Sequence, residues 1–212
     1  RGVNVNGETC THYLTTTKKV LDNPDFNEAA KYVCSPALRD QEDVDALWDA
    51  LNKGLLTAIS SDHCGIDVKE LKQAGRDNFT NIPNGSPGAG DRFAMIWTYG
   101  VETGRISKNK FVELISSKPA KINGIYPRKG AIQVGADADI VIFDPDYEGV
   151  IRLEDNPNGV DYNVYEGRKQ IGKIDMVFLR GNLAVDDGKF VGTYGMGKFI
   201  PAEMYAACYN GI

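Results

Sequence analysis

The sequence predicts a mixed α/β fold. An α/β segment over residues 1–127 is followed by a small β segment over 128–194 and a tail over 195–212. Three observations predict it. The run Leu55-Leu-Thr-Ala-Ile-Ser-Ser-Asp62 is apolar until it breaks off in polar residues, as a buried parallel strand does. Just before it, Val44, Leu47, Trp48 and Leu51 recur at helical spacing and form one apolar stripe. After Lys129 the helical period gives way to short apolar runs separated by turn residues.

At the start, Val3 and Val5 alternate with polar residues and read as the middle of a strand. Lys31-Tyr-Val-Cys-Ser35 is a second short extended run. A helix is expected over Asp40–Lys53, with Asp40 as N-cap and Gly54 closing it. The buried strand follows, then a long loop from Cys64 to Gly90. Helices resume over Asp91–Gly104, with Phe93, Ile96, Trp97 and Val101 on one face, and over Ser107–Ser117, with Phe111, Leu114 and Ile115 inward. In such α/β units, binding groups gather at the carboxyl ends of the strands.

In the β segment, Gly130–Gly135 is expected to be a short strand and turn. Ala138–Phe143 is expected to be a strand that stops at Asp144-Pro145. Ile174–Leu179, Leu183–Val185 and Lys189–Val191 complete a small antiparallel sheet, with turns at Arg180-Gly-Asn182 and Asp186-Asp-Gly188. In the tail, Tyr205, Cys208 and Tyr209 suit a short helix docked on a neighbour.

Composition excludes several partners. The chain of 212 residues has 24 Lys+Arg against 29 Asp+Glu, a net charge of −5, so no basic surplus is left to neutralise nucleic-acid phosphates or anionic lipid. No apolar run approaches the ~18 residues of a membrane span. Arg1–Gly7 lacks the apolar centre of a signal peptide. Four cysteines, Cys10, Cys34, Cys64 and Cys208, are too widely spaced for a zinc ribbon or redox pair and read as free thiols in a reducing cytosol. The sequons at Asn78 and Asn84 are therefore taken as coincidence.

The strongest chemical signal is Ser60-Ser-Asp-His-Cys64, at the end of the buried strand. Asp62 there can hold a metal through one oxygen and take a proton through the other, or it can simply cap the next turn. His63 points to the opposite face of a regular strand and joins Asp62 on one metal only after a kink. With only His12 and His63 in the chain, a catalytic zinc site cannot be completed from these residues. The glycine-rich segment 84–90 lacks the phosphate-loop ending and better suits a loop that holds a polar substrate by backbone amides. Asp137, Asp139, Asp144 and Asp146 read as solvated turn residues rather than calcium ligands. Cys64 has no evident paired base that would make it a nucleophile.

Five motifs, taken in order, carry a resemblance: Gly7-Glu-Thr-Cys-Thr-His-Tyr-Leu14, Tyr32-Val-Cys-Ser-Pro-Ala-Leu-Arg39, Ser61-Asp-His-Cys64, Phe79-Thr-Asn-Ile-Pro-Asn-Gly85 and Gly135-Ala-Asp-Ala-Asp-Ile-Val-Ile-Phe-Asp-Pro145. Together they resemble the C-terminal half of the dihydropyrimidinase (D-hydantoinase) family of cyclic amidohydrolases. Val160-Asp-Tyr-Asn-Val-Tyr-Glu-Gly167 is similar to the small domain of that family.

The resemblance implies the C-terminal part of a (β/α)8 barrel plus part of a small β-sandwich. It also implies two zinc ions bridged by a carbamylated lysine and a hydroxide. Asp62 matches the family's metal-binding aspartate and general base. Ser35 and Asn84 match positions that hold the cyclic amide, chiefly through backbone groups. The implied reaction opens dihydropyrimidines or 5-substituted hydantoins to N-carbamoyl amino acids. The family's remaining ligands lie upstream of the matching segment. A whole barrel takes ~200 residues, so this chain is expected to supply about three of its eight strands and to need the N-terminal half as a partner for stability and activity. A cytoplasmic homotetramer is also implied. The competing expectations are a non-catalytic interaction scaffold similar to the collapsin response mediators, or a neighbouring enzyme such as allantoinase or dihydroorotase.

Overall fold

The computed structural model describes residues 5–203. Val3 of the expected first strand lies outside the described residues, as do Tyr205, Cys208 and Tyr209 of the expected tail helix. The elements run β1 (Glu8–Cys10), α1 (Thr11–Thr15), α2 (Phe26–Ala30), α3 (Gln41–Asn52), β2 (Ala58–Ser60), α4 (Arg92–Ile96), α5 (Lys108–Val112), α6 (Lys118–Ile122), β3 (Ile140–Val150), β4 (Lys169–Leu179), β5 (Asn182–Asp186) and β6 (Lys189–Phe190).

β1 and β2 pair in parallel, with Glu8 opposite Ala58 and Cys10 opposite Ser60. Both therefore end at the same edge, and the residues that follow them share one face. The helix between them keeps its predicted stripe: Val44, Trp48 and Leu51 are buried against Leu14 and Ile59. The Trp48 indole N–H donates to the Leu14 carbonyl at 2.9 Å, so this large apolar side chain leaves no polar atom stranded. Asp40 stands at the N-cap position, but its carboxylate is on the Lys18 ammonium at 2.7 Å rather than on the helix amides. Gly54 ends the helix at φ 71°, in the left-handed region where glycine carries no Cβ penalty.

Two expected extended runs are shorter or absent. The run from Leu55 narrows to Ala58–Ser60, because the amides of Leu55 and Leu56 turn back to the Ala50 carbonyl to finish α3. Residues 31–35 form turns instead of a strand. The amides of Tyr32 and Val33 continue the α2 turn, onto Ala29 and Ala30, and a cis Ser35–Pro36 bond follows.

α4 runs on into a wider turn over Trp97–Val101, and α5 into one over Glu113–Ser117 that leads to α6, so both predicted helices exist with a looser second half. Their inward aromatics reach the β segment. Trp97 stacks edge-on against Phe111 at 5.4 Å and against Phe143 of β3 at 4.6 Å. The Thr98 hydroxyl adds a polar tie, accepting from the Ile171 amide of β4 at 2.9 Å while donating to Ala94.

The second sheet is antiparallel in the order β3-β4-β5-β6. β3 does not stop at Asp144-Pro145, as expected from the proline, but continues to Val150. The register jumps between Asp144 and Glu148, so Pro145 falls in a bulge where its missing N–H costs no ladder bond. Residues 130–135 form no strand; Ile132 and Val134 are exposed. The four aspartates of this region behave as turn and surface groups. Asp137 pairs with Arg128 and Lys129, Asp139 with Lys129, and Asp144 accepts the Asp146 amide.

Candidate active site

An open cleft of about 670 Å³ lies at the carboxyl ends of β1 and β2, lined among others by Cys10, Tyr13, Pro36, Arg39, Ser60 and Asp62. Its floor follows from the parallel pairing. Cys10 and Ser60 are register partners, and the Cys10 thiol lies 3.2 Å from the Ser60 hydroxyl. Burial pushes that thiol above its usual pKa, which keeps it protonated and unreactive.

Asp62 sits two residues beyond β2 with φ 48°, one of three non-glycine residues in this conformation among the described residues. Left-handed backbone is tolerated by Asp but costly for branched residues. The kink turns the chain out of the strand and leaves the carboxylate exposed on the cleft. Cys10, His12, Tyr13 and Cys34 all lie within its electrostatic reach. The capping alternative is not what the structure shows: among the described residues, none hydrogen-bonds to this carboxylate.

The kink leaves His63 beside Asp62 on the lining of the same cleft. Its Nδ1 accepts from the Gly88 amide at 3.3 Å, so the ring holds the 84–90 loop in place. His12, to which sequence reasoning gave no role, lines a small separate cavity with Cys34 and Ser86. Its Nε2 is buried without a hydrogen-bond partner among the described residues, and burial lowers its pKa, opposed by the Asp62 charge.

Ser35 and Asn84 are both exposed, on two segments that the structure brings side by side. The Gly85 amide donates to the Val33 carbonyl at 2.9 Å, and the Ser86 hydroxyl to the Lys31 carbonyl at 2.6 Å. The Cys64 amide donates to the Ser86 carbonyl at 3.0 Å, which sets the segment after Asp62 against the same loop. Three segments therefore converge: the one leading into Ser35, the one following Asp62 and the one around Asn84.

Sequence reasoning missed the residue at their junction. Lys72 is buried, and its ammonium donates to the carbonyls of Ala30 and Gly85, each at 2.7 Å. Nothing in the local pattern around Lys72 signals this, because its burial is made by segments 39 residues before it and 13 after.

As for a metal, Asp62 has the chemistry of a ligand: an exposed carboxylate at a strand end, without a hydrogen-bond partner among the described residues. Among the described residues no group of three His, Cys, Asp or Glu side chains could hold an ion alone.

Residues 1–184 match the model of the amidohydrolase family. The chain belongs to that family. Its similarities place it with the hydantoinases and dihydropyrimidinases. It is 48% identical over 205 residues to a D-hydantoinase of Ralstonia pickettii, covering 97% of this chain and 44% of the relative. It is 37% identical over 212 residues to a dihydropyrimidinase of Dictyostelium discoideum, covering 42% of that protein. Among solved structures, the dihydropyrimidinase of Brevibacillus agri superposes with a TM-score of 0.93 at 44% identity, over 96% of this chain and 44% of that one. The chain thus spans less than half the length of the relatives it matches. Among the described residues, no helix of this amidohydrolase is long and apolar enough to cross a membrane.

Proposed function

We propose that this amidohydrolase segment is the C-terminal portion of a zinc-dependent cyclic amidohydrolase, opening dihydropyrimidines or 5-substituted hydantoins to N-carbamoyl amino acids. The observation that carries the reading is Asp62. It is an unpartnered carboxylate at the carboxyl end of a parallel strand, facing a cleft, in a chain 48% identical to a D-hydantoinase.

In this reading, residues 1–127 belong to a (β/α)8 barrel and 128–194 to a small β-sandwich. The remaining metal ligands, including a carbamylated lysine, come from residues outside this chain. Asp62 would hold one of two zinc ions. When bound, the metals supply a nucleophile at neutral pH and polarise the scissile carbonyl. Asp62 would take a proton from the water whose oxygen adds to the carbonyl carbon, and deliver it to the ring nitrogen as the C–N bond breaks. Backbone groups at Ser35 and Asn84 hold the ring amide in line, and the packed segments behind them exclude water from its far side.

The test is hydrolysis of dihydrouracil and of a 5-substituted hydantoin by the full-length protein and its Asp62→Ala variant, with zinc content measured in both. Loss of turnover by at least about 10²-fold and reduced zinc in Asp62→Ala support the reading. Unchanged turnover refutes the role of Asp62. A folded full-length protein with no turnover on either substrate favours the scaffold alternative. Sedimentation of the same sample tests the implied tetramer.

A further inference from the structure

Lys72 opens a short 3-10 turn, Lys72–Gly75, inside the long loop after β2, yet its side chain is 0% exposed. Its ammonium donates to the carbonyls of Ala30 at 2.7 Å, Gly85 at 2.7 Å and Val33 at 3.4 Å. A lysine ammonium has three donors and no acceptor, so these carbonyls saturate it. Among the described residues, no carboxylate forms an ion pair with it. The Tyr162 ring centroid lies 5.9 Å away, and the Cys34 and Cys64 thiols are the other titratable groups near it.

A buried charge without a counter-ion is expensive, and a methionine would fill the same space without that cost. The hydrogen-bond pattern shows what the charge does. Ala30 and Val33 lead into Ser35, and Gly85 follows Asn84. The two segments also touch directly, through the Gly85 amide on Val33 and the Ser86 hydroxyl on Lys31. The Ala30 carbonyl also accepts the Val33 amide at 3.3 Å, so the ammonium is its second donor and ties that turn to the Gly85 carbonyl. The ammonium draws the Ala30 and Gly85 carbonyls toward one point, which sets the tilt of the peptide planes in the two segments.

We propose that Lys72 is a positioning residue for the cyclic-amide substrate: its ammonium pins the segment before Ser35 to the segment around Asn84 and so fixes the spacing of the backbone groups that hold the ring amide. This rests on the hydrolase reading above. Among the described residues Lys72 makes no hydrogen bond to Asp62, and its ammonium bonds go to backbone carbonyls. Its loss therefore weakens substrate binding while the chemical step and metal binding persist.

The experiment compares the full-length protein with its Lys72→Met and Lys72→Gln variants, on dihydrouracil and a 5-substituted hydantoin. Zinc content, kcat, KM and amide exchange over residues 30–36 and 82–88 are measured. The expected result for Lys72→Met is unchanged zinc, KM raised about tenfold, kcat altered by less than about threefold, and faster exchange in both segments. Lys72→Gln, which keeps two donors, falls between. A folded Lys72→Met with unchanged KM overturns the proposal, as does an equal fall in kcat and zinc. Failure of both variants to fold also overturns it, because a role confined to the two segments leaves the rest folded. If the wild type opens no cyclic amide, the hydrolase reading and this proposal fail together. An active wild type with an insensitive Lys72 sinks only the latter.

Discussion

The Arg92 guanidinium donates to the Ile59 carbonyl at 2.8 Å, joining the start of α4 to the strand that ends just before Asp62. Burial lowers the Arg92 pKa from its usual value, but the group remains charged. β2 is only three residues long, so this bond is a large part of what holds it. Arg92→Met removes a charge-assisted donor and leaves the Ile59 carbonyl without it. The expected loss is about 1.5–3 kcal/mol, read by urea denaturation of the full-length protein. A change below about 0.5 kcal/mol would show that β2 is held by other contacts.

Asp62 is held at φ 48°, which restricts its replacements independently of its chemistry. Asparagine tolerates the left-handed region and a β-branched residue does not. Asp62→Asn is expected to unfold within a few degrees of the wild type while losing turnover. Asp62→Val should lose both turnover and about 1–3 kcal/mol of stability. Equal melting temperatures for the two variants would refute the strain argument.

Gly85 has φ 121°, and a Cβ there would lie 2.5 Å from the Cys64 Cβ and 2.7 Å from its Sγ. Gly85→Ala therefore meets both backbone strain and a clash. It should cost about 1–3 kcal/mol or more, with faster amide exchange over residues 82–88. Combining it with Cys64→Gly, which removes the clashing atoms, should recover part of the loss; strict additivity of the two changes would show that only the backbone matters.

Burial lowers the Lys72 pKa to about 8 from 10.5. The folded state then binds fewer protons than the unfolded chain between those values, so this group's contribution to stability rises with pH across about pH 8 to 10.5 and is flat on either side. Thiols with raised pKa, the buried Cys10 and the half-buried Cys34, act in the opposite sense. The clean measurement is a difference: wild-type minus Lys72→Met unfolding free energy, by denaturant titration at successive pH values. It should climb through that window. A flat difference would mean that the ammonium is solvated in the folded state, and a falling one that the fold favours its charged form.

Much of the scaffold was readable along the chain. The stripe of Val44, Trp48 and Leu51 and the inward face of Phe93, Ile96 and Trp97 are periodic, and both lie in the core as expected. Asp62 was readable because polar residues that end an apolar run mark a strand's carboxyl end. The errors arose where non-local bonds overrode local signals. Residues 31–35 look extended, but the carbonyl of Val33 is satisfied by the Gly85 amide and the Lys72 ammonium, not by a strand. Pro145 looks like a strand breaker, but a bulge accommodates it.

By itself, then, the sequence determined the helix faces, the strand ends and the family motifs, because hydrophobic period and turn chemistry act over a few neighbouring residues. The tertiary structure alone decided that the segments carrying Ser35 and Asn84 lie side by side, that His63 lines the cleft while its ring takes the Gly88 amide, and that a lysine is sealed between those two segments. Those arrangements depend on hydrogen bonds between residues 13 to 55 positions apart, made only once burial has removed water as the competing partner.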